Sequence, residues 1–312
     1  MESGNQTSVK DFILLGLSQD QQLKGPLFMV FFVMYFTSLL GNLTIILTIW
    51  MDIHLHTPMF FFLSNLSFLD LCYSSVTVPK MLFSLLGLST SISYAGCITQ
   101  LYFYVSCCST ECLILSVMGY DRYVAICSPL HYSSIMRRDV CLRMAVVLWT
   151  TGFLTSVIHT ILTARLPFCG SHGINHFFCD IPPLLKLSCS STFINEVVVL
   201  TVGGSLGLSS FLLTLVSYIH IISTILQIRS AAGRRKAFST CASHLIVVTL
   251  FFGSISFMYM RPASSYSMKQ DRVVSVFYAV VTPALNPIIY TLRNKEFKRA
   301  LKKATSRSIA SY

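Results

Sequence analysis

Five stretches of this chain, 25–51, 144–164, 197–228, 237–260 and 273–292, contain no charged residue. Each reaches the roughly 20 residues that a helix needs to cross a bilayer. Two further apolar stretches, 57–85 and 95–120, carry one carboxylate each, Asp70 and Glu111. In lipid every backbone polar group must find its partner inside the protein, and runs this long do so as helices; the strands of a barrel would be short and alternating. Only 11% of the 312 residues are charged, against about 25% in soluble domains. The expectation is an all-α membrane protein with seven helices at about 25–51, 57–85, 95–127, 141–164, 195–228, 236–261 and 271–292. These form one transmembrane domain over 25–292, preceded by an extracellular tail (1–24) and followed by a cytoplasmic amphipathic helix and tail (293–312).

Seven spans put the two termini on opposite sides. With the N-terminus outside, the cytoplasmic segments hold 15 of the 23 lysines and arginines, Arg122 included, and the outer ones hold 8. The basic loops at 137–143, 229–236 and 293–307 are then the short inner ones, as the positive-inside rule requires. The first hairpin alone is a poor witness, because Lys10 and Lys24 precede it and no basic residue follows until Lys80. The net charge of +11 follows from this asymmetry and suits anionic inner-leaflet lipid. Nucleic acid is not expected as a partner, since no soluble basic domain is present to bind it. Glu2, Lys10, Asp11 and Asp20 break up the N-terminus and leave only an apolar patch at 12–17, so the first helix itself is expected to serve as the insertion signal.

Four of the eleven cysteines are expected outside: Cys97, Cys169, Cys179 and Cys189. An even number of thiols in an oxidising compartment reads as two disulfides, with three pairings open. The remaining seven read as small apolar residues of the membrane interior. Asn5-Gln6-Thr7 is a glycosylation acceptor in an exposed tail; matches at Asn42 and Asn65 fall inside helices.

Ionisable groups at membrane depth are costly and mark function by default. Asp70 and Glu111 are of this kind, joined by Asn42, Asn65 and Asn286. They read as a hydrated polar pocket able to hold a sodium ion, against the plainer alternative that they only satisfy neighbouring helices. Arg122, between Asp121 and Tyr123, is a guanidinium that cannot shed its charge and so must be paired or wet. It lies eleven residues after Glu111, about 20° off the same helix face. With Met118, Leu115, Cys108 and Tyr104, one face of the third helix runs about 27 Å from an outer aromatic to an inner arginine.

In the seventh helix, Pro283 and Pro287 free backbone carbonyls and read as a hinge, with Asn286 placed to meet those carbonyls and Tyr290 at the inner end. Beyond it, Lys295, Lys298, Arg299, Lys302 and Lys303 interleave with Phe297 and Leu301 at i, i+4 spacing, the pattern of a helix lying on the inner leaflet.

These residues resemble a family. Gly41-Asn42, the block Leu55-His56-Thr57-Pro58-Met59 running into Phe61-Phe62-Leu63-Ser64-Asn65-Leu66-Ser67, the stretch 118–127, the block Lys236-Ala237-Phe238-Ser239-Thr240-Cys241-Ala242-Ser243-His244-Leu245 and the stretch 283–290 with Leu292-Arg293-Asn294 are similar to those of olfactory receptors. The resemblance is to the terrestrial-vertebrate class within the rhodopsin-like G-protein-coupled receptors, and it covers nearly the whole chain. It implies a rhodopsin-like bundle, the pairings Cys97–Cys179 and Cys169–Cys189, and no enzymatic activity. It also implies plasma-membrane residence in sensory cilia, and coupling to the stimulatory olfactory G protein with a rise in cyclic AMP. Asp121, Arg122 and Tyr123 carry that coupling, with Lys236, Asn286, Pro287 and Tyr290 on neighbouring inner helix ends. The departures are Phe60, Gly119 and Phe252, which stand where the family usually has tyrosine, alanine and tyrosine. Phe252 matters most, since in relatives that position is near the toggle under the ligand.

The resemblance implies a small, volatile, mostly apolar ligand in a closed apolar cavity with few polar anchors. Residues at matching depth are Tyr104, Val105, Cys108 and Ser109 on the third helix, and Phe252, Ile255 and Tyr259 on one face of the sixth. The fifth offers Val202 and Leu206 beside Gly203, Gly204 and Gly207, and the seventh offers Tyr278 and Ala279. His159 reads first as a histidine packed between helices and second as a hydrogen-bond donor to ligand. The absence of a charged anchor at this depth argues against biogenic amines. A transporter would show internal repeats and paired broken helices. An intramembrane enzyme would need a catalytic pair with supporting residues around Asp70 or Glu111; neither pattern is present. No cofactor is expected beyond the sodium ion at Asp70 and Glu111.

Overall fold

In the computed structural model the protein is described over residues 10–18, 20–169, 172–259 and 268–310. Asn5 lies outside these residues. Seven helices are long and apolar enough to cross a bilayer. We label them α1 (Gln21–Met51), α2 (Pro58–Leu85), α3 (Tyr94–Cys127), α4 (Arg138–Ala164), α5 (Phe193–Leu226), α6 (Ala231–Tyr259) and α7 (Gln270–Thr291). An eighth, α8 (Lys295–Ala310), follows.

Local chemistry sets the helix starts. Asp20 accepts from Gln22 N at 3.0 Å, so α1 begins four residues ahead of the apolar run. Thr57 is extended and Pro58 occupies the first turn of α2, where a missing N–H costs nothing. Ser93 Oγ accepts from Gly96 N at 3.1 Å and opens α3. Two helices widen into a π turn, α5 over Val199–Gly203 and α7 over Phe277–Val281.

The core is centred on α3, which is 78% buried over its most apolar stretch, whereas α5 on the rim is 11% buried. Polar braces lock the bundle where lipid offers no alternative partner. Trp149 Nε1 donates to Asn65 Oδ1 at 3.1 Å, joining α4 to α2. Pro287 has no N–H, which leaves the Pro283 carbonyl without its helical donor, and Asn42 Nδ2 supplies one at 3.1 Å. This corrects the expectation for Asn286, whose amide turns instead to Asp70 Oδ2 at 2.9 Å. Beside this brace α1 approaches α7 so closely that a Cβ on Gly41 would fall 2.7 Å from Pro287 Cβ.

The apolar patch near the N-terminus forms structure that its composition does not announce. Strand β1 (Asp11–Leu14) lies between β2 (Ser91–Ser93), antiparallel to it, and β3 (Gly173–Ile174), parallel to it. Phe12 and Leu14 are fully buried, and Phe12 meets Phe168 edge to face at 5.3 Å. Disulfides join Cys97 to Cys179 and Cys169 to Cys189, with Cα separations of 5.5 and 5.8 Å. On α8, Phe297 and Ala300 are buried while Lys298, Arg299, Lys302 and Lys303 are exposed.

Candidate functional site

The half of the bundle that carries the disulfides, which we label outer, holds a cavity of about 480 Å³. Tyr104, Val105, Cys108 and Ser109 of α3, Leu206 of α5, and Phe252, Ile255 and Tyr259 of α6 line it, together with His159 of α4 and Ile181 of the outer loop. None of its described lining residues is charged. Gly203, Gly204 and Gly207 leave gaps between the apolar side chains that α5 presents, Gly203 at the end of its π turn. Val202 and Tyr278, expected at this depth, are not among the lining residues. Tyr278 is fully buried and turned toward the polar cluster above, and the widened turn at 199–203 presents Gly203 and Gly204 to the cavity. Phe252 packs edge to face on Phe211 at 5.8 Å across the α5–α6 seam.

A polar cluster roofs this cavity, and its keystone, Asp180, is a residue that sequence reasoning missed. Asp180 is fully buried. Its Oδ1 accepts from Tyr259 Oη and from Ile181 N, both at 2.7 Å, and its Oδ2 accepts from Tyr278 Oη at 3.3 Å. Because Tyr259 spends its proton on the carboxylate, Tyr104 donates to Tyr259 across 2.8 Å. Behind them His176 Nε2 lies 3.0 Å from Ser275 Oγ. Burial pushes the Asp180 carboxyl up to about 6 despite these donors, and burial pushes His176 down to about 3. Gln100 fixes the loop carrying Asp180, accepting from Cys179 N at 2.9 Å and donating to Val76 O at 2.8 Å. The only sequence signal for Asp180 was its place next to a bridged cysteine.

Halfway down, Asp70 and Glu111 are buried and within electrostatic reach of each other. Asp70 Oδ1, both Glu111 carboxyl oxygens, Asn42 Oδ1 and Asn286 Oδ1 are buried without a hydrogen-bond partner among the described residues.

At the inner end Arg122 pairs with its neighbour Asp121, Nε to Oδ2 3.1 Å. Tyr132 Oη donates to the other oxygen, Oδ1, at 2.7 Å. Burial and the Asp121 carboxylate raise this phenol well above its ordinary value. Tyr123 packs its ring 5.7 Å from that of His220 on α5. A second cavity, about 870 Å³, is lined by Met118, Asp121, Arg122, Arg235, His244 and Tyr290 among others. His244 closes its roof. Its Nε2 lies 3.0 Å from the Leu115 carbonyl, which can only accept, so Nδ1 is the acceptor for Tyr218 Oη at 2.8 Å. One imidazole thus ties α6 to both α3 and α5, a role that no residue spacing signalled. Pro287 sits against Gly41, and the side chain of Lys236 lies outside the described residues.

Seven membrane-spanning helices around an outer apolar cavity and an inner arginine-lined one define a multi-pass helical membrane receptor of the G-protein-coupled type. The family described as "Olfactory receptor" matches residues 31–308. Olfactory receptor 5AP2 of Mus musculus is 53% identical over 303 residues, covering 97% of this chain and 96% of that protein. Olfactory receptor 5A2 of Homo sapiens is 54% identical over 303 residues, covering 97% and 94%. Olfactory receptor 1F1 of Homo sapiens is 49% identical over 311 residues, covering all of both chains. The chain belongs to the olfactory receptor family, a family of receptors and not of enzymes.

Proposed function

We propose that this chain is an odorant receptor that binds small, volatile, mostly apolar molecules in the outer cavity and activates the heterotrimeric stimulatory olfactory G protein, raising cyclic AMP. One observation carries the reading: a cavity of about 480 Å³ with no charged lining residue among those described shares helix α3 with the inner cavity around Arg122. Its size suits a small ligand, and its apolar walls favour one that leaves water readily.

Ligand contacts with Tyr104, Val105, Cys108, Ser109, Leu206, Phe252, Ile255 and Tyr259 bias α6 through the Tyr104–Tyr259–Asp180 chain, with Val202 and Tyr278 acting from just behind the wall. The inner end of α6 then swings away from α3, breaking the His244 ties, and Arg122 leaves Asp121 to receive the G protein beside Tyr123, Lys236, Asn286, Pro287 and Tyr290. A ligand shifts this equilibrium only by its differential affinity for the two arrangements. Asp70 and Glu111 fit a sodium ion, since the five unpartnered oxygens there are the hard donors that such a cation takes; the bound ion would hold the resting arrangement. The excess of basic residues on the Arg122 side of the bundle supports an extracellular N-terminus; sugar on Asn5 rests on its acceptor triplet, and residence in the plasma membrane of sensory cilia on the family resemblance.

The test is a cyclic AMP assay of the expressed chain against a broad panel of volatiles. Arg122→Ala is expected to reach the surface and give no response. A full response from that variant would refute the coupling role.

A further inference from the structure

We propose that His159 is the polar anchor of the outer cavity, and that its ligands are apolar molecules carrying one hydrogen-bonding oxygen, as a carbonyl, an ether or a hydroxyl. The inference rests on the reading of that cavity as the ligand site and narrows the class of molecule it takes.

Six polar side chains line the cavity: Tyr104, Ser109, His159, Thr249, Ser256 and Tyr259. The tyrosines are spent on each other and on Asp180, and Thr249 Oγ1 donates to Leu245 O at 2.8 Å. Ser256 is an exposed residue whose hydroxyl can bond back onto its own helix. Ser109 can turn its hydroxyl back onto its own helix, as serines do in membrane helices. His159 has no such recourse. Its side chain is 5% exposed and has no hydrogen-bond partner among the described residues. A neutral imidazole presents one donor and one acceptor, and a buried polar group left unmatched is costly.

The wall opposite the ring leaves this edge open. A Cβ on Gly203 would stand 3.7 Å from His159 Nε2 and 3.9 Å from Cε1, so the imidazole edge faces a residue with no side chain, at the end of the π turn. Such turns recur where a helix is reshaped around a ligand. A small molecule lying against Gly203 and Gly204 therefore meets a buried imidazole edge that lacks a partner among the described residues. An oxygen there completes the histidine's bonding, whereas the hydrocarbon analogue buries it unmatched. Sites built to bond an oxygen reject analogues lacking it far more strongly than apolar pockets discriminate by shape.

The experiment measures apparent Kd from the ligand-induced rise in melting temperature of the full chain in lipid nanodiscs, a readout independent of any G protein. The probes are matched sets of ketone, alcohol and parent hydrocarbon on one carbon skeleton, with camphor, borneol and bornane among them. Oxygenated members are expected to bind about 10- to 100-fold tighter than their hydrocarbons. His159→Phe should abolish that ratio by weakening only the oxygenated members, and His159→Gln should restore part of it. Gly203→Val, which covers the ring edge with His159 intact, should act like His159→Phe. Phe252→Ala should weaken oxygenated and hydrocarbon ligands alike. A preference for oxygen that survives in His159→Phe, or that is absent from the unaltered protein, overturns the anchor while a Phe252→Ala effect keeps the cavity. If Phe252→Ala also changes no Kd, both readings fall.

Discussion

Asn42 and Pro283, 241 residues apart, are joined by a 3.1 Å hydrogen bond from side-chain amide to backbone carbonyl. The bond repairs a defect that proline creates. Pro287 withholds the N–H that would have met this carbonyl, and lipid has nothing to offer in its place. Asn42 also donates to Ser38 O at 2.9 Å, so one amide serves two helices.

Replacing Asn42 with leucine should therefore cost more than a surface change. The Pro283 carbonyl stays buried and unpaired, at about 1–3 kcal/mol, and the melting temperature of the purified protein should fall by several degrees. Gly41→Ala should do the same by a different route, since its new methyl group meets Pro287 Cβ at 2.7 Å and overpacking typically costs about 1–3 kcal/mol. A melting temperature within a degree of the unaltered protein for both variants would contradict this account.

The outer cluster holds two titrating groups with opposite signs. Asp180, raised to about 6 from its ordinary 3.8, binds more protons folded than unfolded between those values. Its contribution to stability is complete below pH 3.8 and is lost as pH rises through 6. His176, lowered to about 3 from 6.5, binds fewer protons when folded, and its contribution is lost as pH falls below 6.5. The two slopes oppose each other between about pH 4 and 6. Asp180→Asn should therefore make the protein lose stability on acidification more steeply than the unaltered chain, and His176→Gln less steeply. Thermal melts at pH 4.5, 5.5 and 6.5 read the differences directly, and parallel curves for all three proteins would refute the assignment.

His244 fastens α6 to α3 and α5 through bonds of 3.0 and 2.8 Å. Phenylalanine fills the space but makes neither bond. His244→Phe should raise ligand-independent cyclic AMP several-fold, normalised to surface receptor. Basal signal at the unaltered level, with normal expression, would show that these bonds do not hold the resting arrangement.

Phe252 lines the cavity beside Phe211, against which it packs edge to face. Phe252→Ala removes the ring and should lower potency for every active volatile by tenfold or more, since a ligand loses apolar burial against a side chain worth about 1.5–3 kcal/mol when fully buried. Phe252→Tyr, which restores the residue usual in the family, should shift potency unevenly from one ligand to another. Dose–response curves over several agonists distinguish the two outcomes, and a uniform shift for tyrosine would count against a ligand contact at its hydroxyl.

The bundle was legible in the sequence because lipid imposes one strong rule, and long uncharged runs obey it visibly. The α3 spacing also put Tyr104 and Arg122 at opposite ends of one helix, and the structure has the first in the wall of one cavity and the second in the wall of the other. The roof was not. Asp180 sits in a polar loop where a carboxylate normally reads as solvated, and only the fold reveals that three partners and two helices close over it. His244 stood within a recognisable block but carried no sign of which neighbours it would touch. Asn286 was expected to meet the proline carbonyls, but it bonds Asp70 while Asn42 serves Pro283, an outcome that depends on how α1 packs against α7. His159 drew two readings because periodicity shows the face of a helix and says nothing about whether the opposite wall is a side chain or a glycine.

The three-stranded outer sheet has a consequence for biosynthesis. Residues 11–14 emerge early from the ribosome, yet their neighbours at 91–93 and 173–174 are made about 80 and 160 residues later, a wait of roughly 10–30 s for the second at ordinary rates of translation. Until then Phe12 and Leu14 have no place to hide. The strand at 11–14 is thus seated only after more than half of the chain has been made, and its two buried side chains stay uncovered through all of that time.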